Sequence, residues 1–81
     1  MKLRIKLFAA MRDAAGADSV EIEVREGATV TDVRAALIER FPEQQALLAR
    51  VLFAVDAQYA GDTVPVSPRA EIACIPPVSG G

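Results

Sequence analysis

Two stretches of the chain alternate apolar with charged residues, as a β-strand does when one face lies in the core and the other in solvent. The first runs from Lys2 to Leu7 and places lysine and arginine between its apolar residues. The second runs from Val20 to Arg25 and places mainly glutamate there. We predict that the two strands pair antiparallel, because opposite charges then face each other on the outer surface.

Helical signals lie between and after these strands. Residues Ala9 to Ala15 are good helix formers, and Gly16 suits the left-handed cap that often ends a helix. Thr29 and Asp32 have the spacing of a capping box, with aspartate in the usual glutamate position. The sequence therefore predicts a short helical connection and then a longer helix that begins at Val30.

The longer helix is predicted to pack one broad face on the sheet. Its charged residues, Arg34 among them, are expected to point to solvent, and Pro42 disfavours helical geometry in the residue before it. A further turn or two of helix is expected over residues 43–49. The apolar stripe recurs at spacings of three and four residues and consists of Val33, Ala36, Leu37, Ile38 and Phe41.

The second half of the chain adds two strands. Val51 to Val55 is apolar at every position, which is typical of a central strand buried on both faces. Turn signals follow at Gly61-Asp62 and at Ser67-Pro68-Arg69, and Glu71 to Ile75 is predicted as the last strand. The fold class is therefore α+β, a mixed sheet of four to five strands with one main helix packed on one face.

Composition narrows the class of protein. The 81 residues, 52% of them hydrophobic and with a net charge of −2, fit one compact domain rather than a disordered chain. The chain lacks the surplus of positive charge that binding to nucleic acid or to an anionic membrane requires. Its apolar runs are too short for a signal peptide or a membrane span, so a cytoplasmic protein is expected.

The residue content also limits the chemistry. The absence of histidine removes the commonest general base and the commonest metal ligand, so we expect neither a catalytic triad nor a metal site. The single cysteine, Cys74, excludes an intramolecular disulfide. Cys74 lies two residues after Ile72 in the predicted last strand, so both side chains face the same, inward side. We therefore interpret Cys74 as a buried structural residue rather than a nucleophile.

The last six residues differ from the domain before them. In the run Pro76 to Gly81, two prolines prevent sheet pairing and two glycines leave the end without side chains. Six extended residues reach about 20 Å, which exceeds the radius of gyration of about 12 Å for a chain of this length. We predict a domain over residues 1–75 and a flexible tail over residues 76–81 that can enter the cleft of another protein.

Several segments together resemble a known family. The most specific segment is the terminal run Ile75 to Gly81. The others are the strand Lys2 to Phe8 followed by Ala9, the helix start Thr29 to Leu37, and the strand Phe53 to Val55. In these segments the chain resembles the small, sulfur-carrying subunits of molybdopterin synthases, which have the ubiquitin-like β-grasp fold.

The sequence departs from that family's pattern at three places. Asp56 replaces the usual asparagine, and Ser67 to Ala70 replaces the usual Asp-Gly-Asp turn. Cys74 stands where the family often has a bulky apolar residue. These departures concern one turn and the packing of the core, and they leave the tail unaffected.

The resemblance implies a function for the tail. The carboxylate of Gly81 would be adenylated with ATP by a ubiquitin-activating-like adenylyltransferase and converted to a thiocarboxylate, while Gly80 would let the backbone pass through a narrow channel. The tail would insert into the large catalytic subunit, within a 2+2 heterotetramer, and donate sulfur to a cyclic pyranopterin phosphate in molybdenum cofactor biosynthesis. The chain would thus be a carrier that binds no cofactor itself, and its partner would supply the active site.

A carrier of this kind has to dock on at least two proteins. Phe8 and Ile75 occupy outward-facing positions at the ends of the first and last strands. We predict that they form an exposed apolar patch with Tyr59 at the root of the tail. The cationic row on the first strand is interpreted as a solvated face, because the acidic row of the second strand lies beside it. The predicted partner interface consists of Phe8, Tyr59, Ile75, Pro76, Pro77, Val78 and Ser79.

Three other functions remain open on the sequence alone. The chain could carry sulfur for another pathway, such as thiamine thiazole synthesis, or it could be a protein modifier whose Gly81 forms an isopeptide bond with lysine. It could also be an interaction module whose tail takes part in no chemistry, since a fold does not determine a function. One residue added after Gly81 would inactivate a carrier or a modifier and leave a docking module unaffected.

Overall fold

The computed structural model describes residues 1–77, so the predicted tail residues 78–81 lie outside the described residues. The division into a domain and a tail therefore stays a prediction. Within the described range, the helices and strands follow one another in the order β1 (Lys2–Leu7), α1 (Ala9–Ala15), β2 (Ser19–Glu23), α2 (Val30–Arg40), a 3₁₀ turn (Pro42–Gln44), α3 (Gln45–Leu48), β3 (Leu52–Val55), β4 (Gln58–Ala60) and β5 (Ile72–Ile75).

The described strands form one mixed sheet in the order β2-β1-β5-β3-β4. β1 and β5 run parallel, and the other neighbouring strands run antiparallel. α2 covers one face of the sheet through Val30, Val33 and Leu37, which are completely buried. We call the face under α2 the inner face and the opposite one the outer face. The predicted α+β class, with a mixed sheet and one main helix on one face, is confirmed.

The pairing of the first two strands follows the charge pattern. Lys2 lies opposite Glu23, and Arg4 lies opposite Glu21, with all four side chains exposed on the outer face. The predicted antiparallel arrangement is confirmed. Lys6 differs from the other two cations, because the residue opposite it is the uncharged Ser19.

The prediction for the third strand is right that the strand is paired on both sides and wrong about its burial. The middle of the sheet is occupied by β5, while β3 lies between β5 and the short strand β4. Leu52 is 51% exposed, so β3 is not buried on both faces. The physical reason is that the helical layer covers only the inner face, so an apolar residue of outward parity stays in contact with water.

A β-hairpin that the sequence reading missed joins β3 to β4. Its two turn residues, Asp56 and Ala57, have φ angles of 51° and 67°. Two consecutive left-handed residues are the geometry of the type I′ turn, which fits the twist of a two-residue hairpin. The usual signal for this turn is a glycine at the second position, and alanine at 57 conceals it.

Both predicted helix caps are confirmed. Gly16 ends α1 with a φ of 70°, and its N–H donates to the carbonyl of Arg12. At the start of α2, the backbone N–H of Thr29 donates to Asp32 Oδ2 at 2.9 Å. That hydrogen bond is the main cause that lowers the pKa of Asp32, with a smaller contribution from the charge of Arg25.

Arg34 does not point to solvent as predicted. Its Nη1 donates to the carbonyl of Leu48 at 2.6 Å and to that of Val51 at 2.9 Å, and its guanidinium lies 5.1 Å from the centroid of the Phe53 ring. The side chain is 23% exposed. Arg34 therefore connects α2 to the end of α3 and the start of β3, where helix-end carbonyls need donors.

Candidate functional site

The tail begins at the centre of the sheet. β5 is paired on both sides, with β1 and with β3, and it leads directly into Pro76 and Pro77, which are half-buried. A central strand is held by two ladders of hydrogen bonds, so the point at which the tail leaves the domain is fixed in position. Of the predicted interface residues in the tail, Val78 and Ser79 lie outside the described residues, as do Gly80 and Gly81.

Asp56 fixes the start of the strand that carries the tail. Its backbone N–H donates to the carbonyl of Glu71 at 2.8 Å, and its Oδ1 accepts the N–H of Glu71 at 2.9 Å. These two bonds extend the β3–β5 ladder by one residue. The aspartate thus adopts the left-handed conformation and accepts the hydrogen bond that position 56 requires, so this departure from the family's pattern leaves the turn intact.

The second departure also forms a regular turn. The N–H of Ala70 donates to the carbonyl of Ser67 at 3.0 Å, which closes a four-residue turn. Pro68 occupies the second position, where its fixed φ angle is favourable. The chain therefore enters β5 through a closed turn without glycine.

Four apolar side chains on the outer face surround the tail root, and we call them the outer patch: Phe8, Leu52, Tyr59 and Ile75. Leu52 lies directly opposite Ile75, and Tyr59 lies opposite Ala54, the next outward residue of β3. Phe8 and Ile75 each follow by one residue the paired positions 7 and 74. Phe8, Leu52 and Tyr59 are 43%, 51% and 72% exposed, and Ile75 is partly buried.

The structure brings together the three residues predicted for this surface, Phe8, Tyr59 and Ile75, on one face of the sheet. Leu52 was not predicted for this surface, because a strand that is apolar at every position is expected to be buried on both faces. One signal could have identified it. A sheet covered by a single main helix leaves its second face open, so Leu52, which alternates with the inward Phe53, had to be exposed.

The backbone around Phe8 fixes that residue at the end of β1. Phe8 itself is extended, whereas the next residue, Ala9, has a φ of 50°. The Phe8 carbonyl accepts the N–H groups of Met11 at 3.2 Å and Arg12 at 3.4 Å. The chain therefore turns sharply into α1 immediately after the patch residue, and a left-handed alanine makes this turn at some cost in conformational energy.

Cys74 lies under the patch on the inner face, with no exposed surface. Burial raises the pKa of the Cys74 thiol to about 11, and the nearby charge of Arg34 offsets this only in part. The thiol is therefore protonated at neutral pH and lacks the thiolate form that nucleophilic chemistry needs. The predicted burial is confirmed.

Residues 1–77 lack the features of two other kinds of site. In this range no three His, Cys, Asp or Glu side chains come together in a way that could hold a metal ion. No helix in the same range has the length and apolar character needed to cross a membrane.

The architecture defines the class of protein. A five-stranded mixed sheet with the last strand at its centre, and one main helix across the inner face, is the ubiquitin-like β-grasp fold. The model of the ThiS family matches residues 5–81, and the chain belongs to this family. The match covers nearly the whole chain, including the tail.

Two relatives in sequence are described as "Molybdopterin synthase sulfur carrier subunit". The one from Arabidopsis thaliana is 30% identical over 81 residues, which is all of this chain and 84% of the relative. The one from Chlamydomonas reinhardtii is 30% identical over 83 residues and is covered completely, as is this chain. Both alignments thus span the whole of this chain.

Solved structures with the same fold include two kinds of protein. SAMP1 from Haloferax volcanii, a small archaeal modifier protein, superposes with a TM-score of 0.82 at 27% identity over the whole of both chains. A protein–protein complex of subunits 1 and 2 of the molybdopterin-converting factor from Helicobacter pylori contains a chain that superposes with a TM-score of 0.67 over the whole of both chains. At 17% identity this second likeness concerns the fold alone.

Proposed function

We propose that the chain is the sulfur-carrier subunit of a molybdopterin synthase and that the carboxylate of Gly81 is its reactive group. The observation that carries the proposal is the position of the tail root: β5 holds it at the centre of the sheet, inside the outer patch. A partner that binds the patch is thereby presented with the tail. The family match through residue 81 and the names of the two relatives support the same function.

A carboxylate is a poor electrophile, so the Gly81 carboxylate has to be activated before it can accept sulfur. The Gly81 carboxylate attacks the α-phosphorus of ATP and pyrophosphate leaves, which gives an acyl-adenylate. Hydrosulfide, or sulfur delivered at the same oxidation level, then attacks the acyl carbon, a carbon–sulfur bond forms, AMP leaves with the electrons of the broken carbon–oxygen bond, and the S–H proton is lost to solvent. The product is a thiocarboxylate, whose sulfur is ionised at neutral pH and needs no neighbouring base to act as a nucleophile.

The partners follow from this chemistry. An adenylyltransferase must first hold the tail next to ATP, and a large catalytic subunit must then hold it next to the pyranopterin substrate. We propose that both dock on the outer patch, so that the two complexes exclude each other and the carrier moves between them. The 2+2 stoichiometry and the cytoplasmic location remain predictions.

The intact mass of the chain tests the proposal. Protein purified from cells that make the cofactor is expected to contain a fraction heavier by the exchange of one oxygen for sulfur. A variant with one alanine added after Gly81 should lack that fraction, because its reactive carboxylate is displaced by one residue. Glu43→Gln, a change at an exposed residue of the 3₁₀ turn, is the control and should be sulfurated normally. Normal sulfuration of the extended variant would refute the role of Gly81.

A second candidate function is protein modification, which the likeness to SAMP1 favours. In that case Gly81 forms an isopeptide bond with a lysine of another protein. The same purification distinguishes the two: covalent adducts of higher mass that disappear in the extended variant indicate a modifier, whereas a heavier free chain indicates a carrier.

A further inference from the structure

The free edge of β2 has an unused row of backbone groups. β2 is the first strand of the sheet order, so β1 is its only neighbour among residues 1–77. Just outside β2, the carbonyl of Asp18 accepts the N–H of Leu7 at 2.8 Å, and the N–H of Val24 donates to the carbonyl of Met1 at 2.9 Å. The even-numbered residues of the β2 segment, 18 to 24, therefore direct their N–H and carbonyl groups toward β1.

The odd-numbered residues consequently direct theirs away from the sheet. Ser19, Glu21 and Glu23 present three N–H groups and three carbonyls to the free edge, since a strand residue points both groups to the same side. The side chain of Arg40 marks this direction, because its Nη1 donates to the carbonyl of Glu21 at 3.4 Å. This is a long hydrogen bond between exposed groups, and it occupies only one of the six backbone groups on the free edge.

A trench runs beside this edge, between β2 and the helices. One part, of about 520 Å³, has Ile22 and Ala36 among its walls, and a second part, of about 530 Å³, has Val20 and Phe41. Both parts share Glu21 and Arg40, so they are continuous along the strand. The trench thus has buried or partly buried apolar residues in its walls, on the inner side of a strand whose outer backbone groups are free to pair.

The charges along the edge select the occupant. Glu21 and Glu23 project from the outer face of β2, and Glu39 stands on the helical wall of the trench. A second copy of this chain paired through the same edge would set glutamates against glutamates, which is unfavourable across a strand pair. A segment with lysine or arginine at alternate positions would instead place a cation beside each glutamate, while Lys2 and Arg4 flank them on the other side.

We propose that the β2 edge binds an extended segment of a partner protein, with alternating basic and apolar residues, as a sixth strand of the sheet. Antiparallel pairing sets basic residues opposite Ser19, Glu21 and Glu23, and apolar residues opposite Val20 and Ile22, where they enter the trench. Main-chain hydrogen bonds supply the affinity, and the alternate side chains supply the selectivity. β1 separates this edge from β5, so the proposal does not depend on the chemistry of the tail.

Two pentapeptides with blocked ends test the proposal, one of sequence Lys-Val-Lys-Val-Lys and one of sequence Glu-Val-Glu-Val-Glu. Each is titrated to millimolar concentration into the full chain, and the amide signals are followed by NMR. The lysine peptide should shift the amides of Ser19, Glu21 and Glu23 more than those of Val20 and Ile22, because only the odd-numbered N–H groups gain a partner. The glutamate peptide should bind about tenfold more weakly or not at all.

Matched variants separate strand pairing from simple attraction of charge. N-methylation of the central lysine amide keeps every charge but removes one donor, and it should weaken binding about tenfold. Arg40→Ala should strengthen binding severalfold, because it frees the Glu21 carbonyl and removes a competing cation. The double variant Glu21→Lys and Glu23→Lys should prefer the glutamate peptide.

Three results would overturn the proposal. The first is the absence of amide shifts along β2 with the lysine peptide at millimolar concentration. The second is equal binding of the N-methylated and the unmodified peptides, which would indicate a diffuse charge effect. The third is a set of shifts centred on the outer patch instead of the β2 edge.

Discussion

The two faces of the sheet are built largely from the same strands and differ in what they expose to solvent. On the inner face, side chains from three strands are at most 2% exposed: Leu3, Ile5, Leu7, Phe53, Ile72 and Cys74. On the outer face, β1 carries exposed cations, and the outer patch is formed by residues of β3, β4 and β5 and by the residue that follows β1. Packing explains why the inner residues are apolar. It gives no reason for exposed leucine, phenylalanine and tyrosine around the tail root, and a binding role does.

The largest expected difference in stability comes from the same substitution, leucine to alanine, made once on each face of the sheet. Leu7→Ala removes a side chain that is 2% exposed, and the free energy of unfolding should fall by about 3 kcal/mol. Leu52→Ala removes one that is 51% exposed, and the fall should be about 0.5 kcal/mol. Urea denaturation of the two variants measures the difference.

Binding should reverse the order of these two variants. Leu52→Ala is expected to weaken binding of the synthase large subunit from the same organism about tenfold, because the exposed leucine is a contact in the proposed interface. Leu7→Ala should bind normally under conditions where it is folded. Equal losses of affinity in both variants would remove the functional distinction between the faces.

The second effect concerns the cation that stabilises the inner side. Arg34→Lys should lower the free energy of unfolding by about 2 kcal/mol, because a lysine does not reproduce the two bonds to the carbonyls of Leu48 and Val51 and the contact with Phe53. Arg40→Lys on the same helix is the matched control. Its change should stay within about 0.5 kcal/mol, since Arg40 is exposed and makes only one long hydrogen bond and a 5.7 Å contact with the ring of the neighbouring Phe41. Similar losses in both variants would show that Arg34 has no special role.

Most of the fold was predictable because its signals are local. The alternation in Lys2–Leu7, the capping box at Thr29 and the cap at Gly16 each depend on residues a few positions apart, and each prediction is confirmed. The role of Arg34 was not predictable in this way. Its partners lie 14 and 17 residues further along the chain, and only the packed structure brings them to it.

The candidate site divides in the same way. The alternation of inward and outward residues was enough to identify Phe8 and Ile75 as outward-facing. Phe8 follows a strand with clear alternation, and Ile75 ends a strand that the following prolines terminate. Leu52 was missed because β3 is apolar at every position and so has no alternation to interpret. The β3–β4 hairpin, which places Tyr59 in the outer patch, was concealed by a turn that lacks glycine.

That hairpin provides the third effect, which should be stabilising. Ala57 has a φ of 67°, a left-handed conformation in which an alanine is strained and a glycine is not. Ala57→Gly should therefore raise the free energy of unfolding by about 1 kcal/mol, in spite of the greater freedom of glycine in the unfolded chain. Gly16→Ala is the opposite control, because Gly16 has a φ of 70° and should lose a similar amount. A destabilised Ala57→Gly variant would show that the turn is not strained.

The smallest expected change in stability concerns the capping box at the start of α2, the helix that covers the inner face of the sheet. The lowered pKa of Asp32 means that its carboxylate is favoured in the folded state, first by the backbone bond from Thr29. Its contribution is therefore present above the ordinary pKa of 3.8 and is lost as the pH falls through the lower pKa of the folded protein. The difference in unfolding free energy between the native chain and Asp32→Asn should be constant near neutral pH and shrink in acid. Urea titrations from about pH 2 to pH 7 measure it, and a difference that persists at the acid end would mean that the charge of Asp32 contributes nothing to the cap.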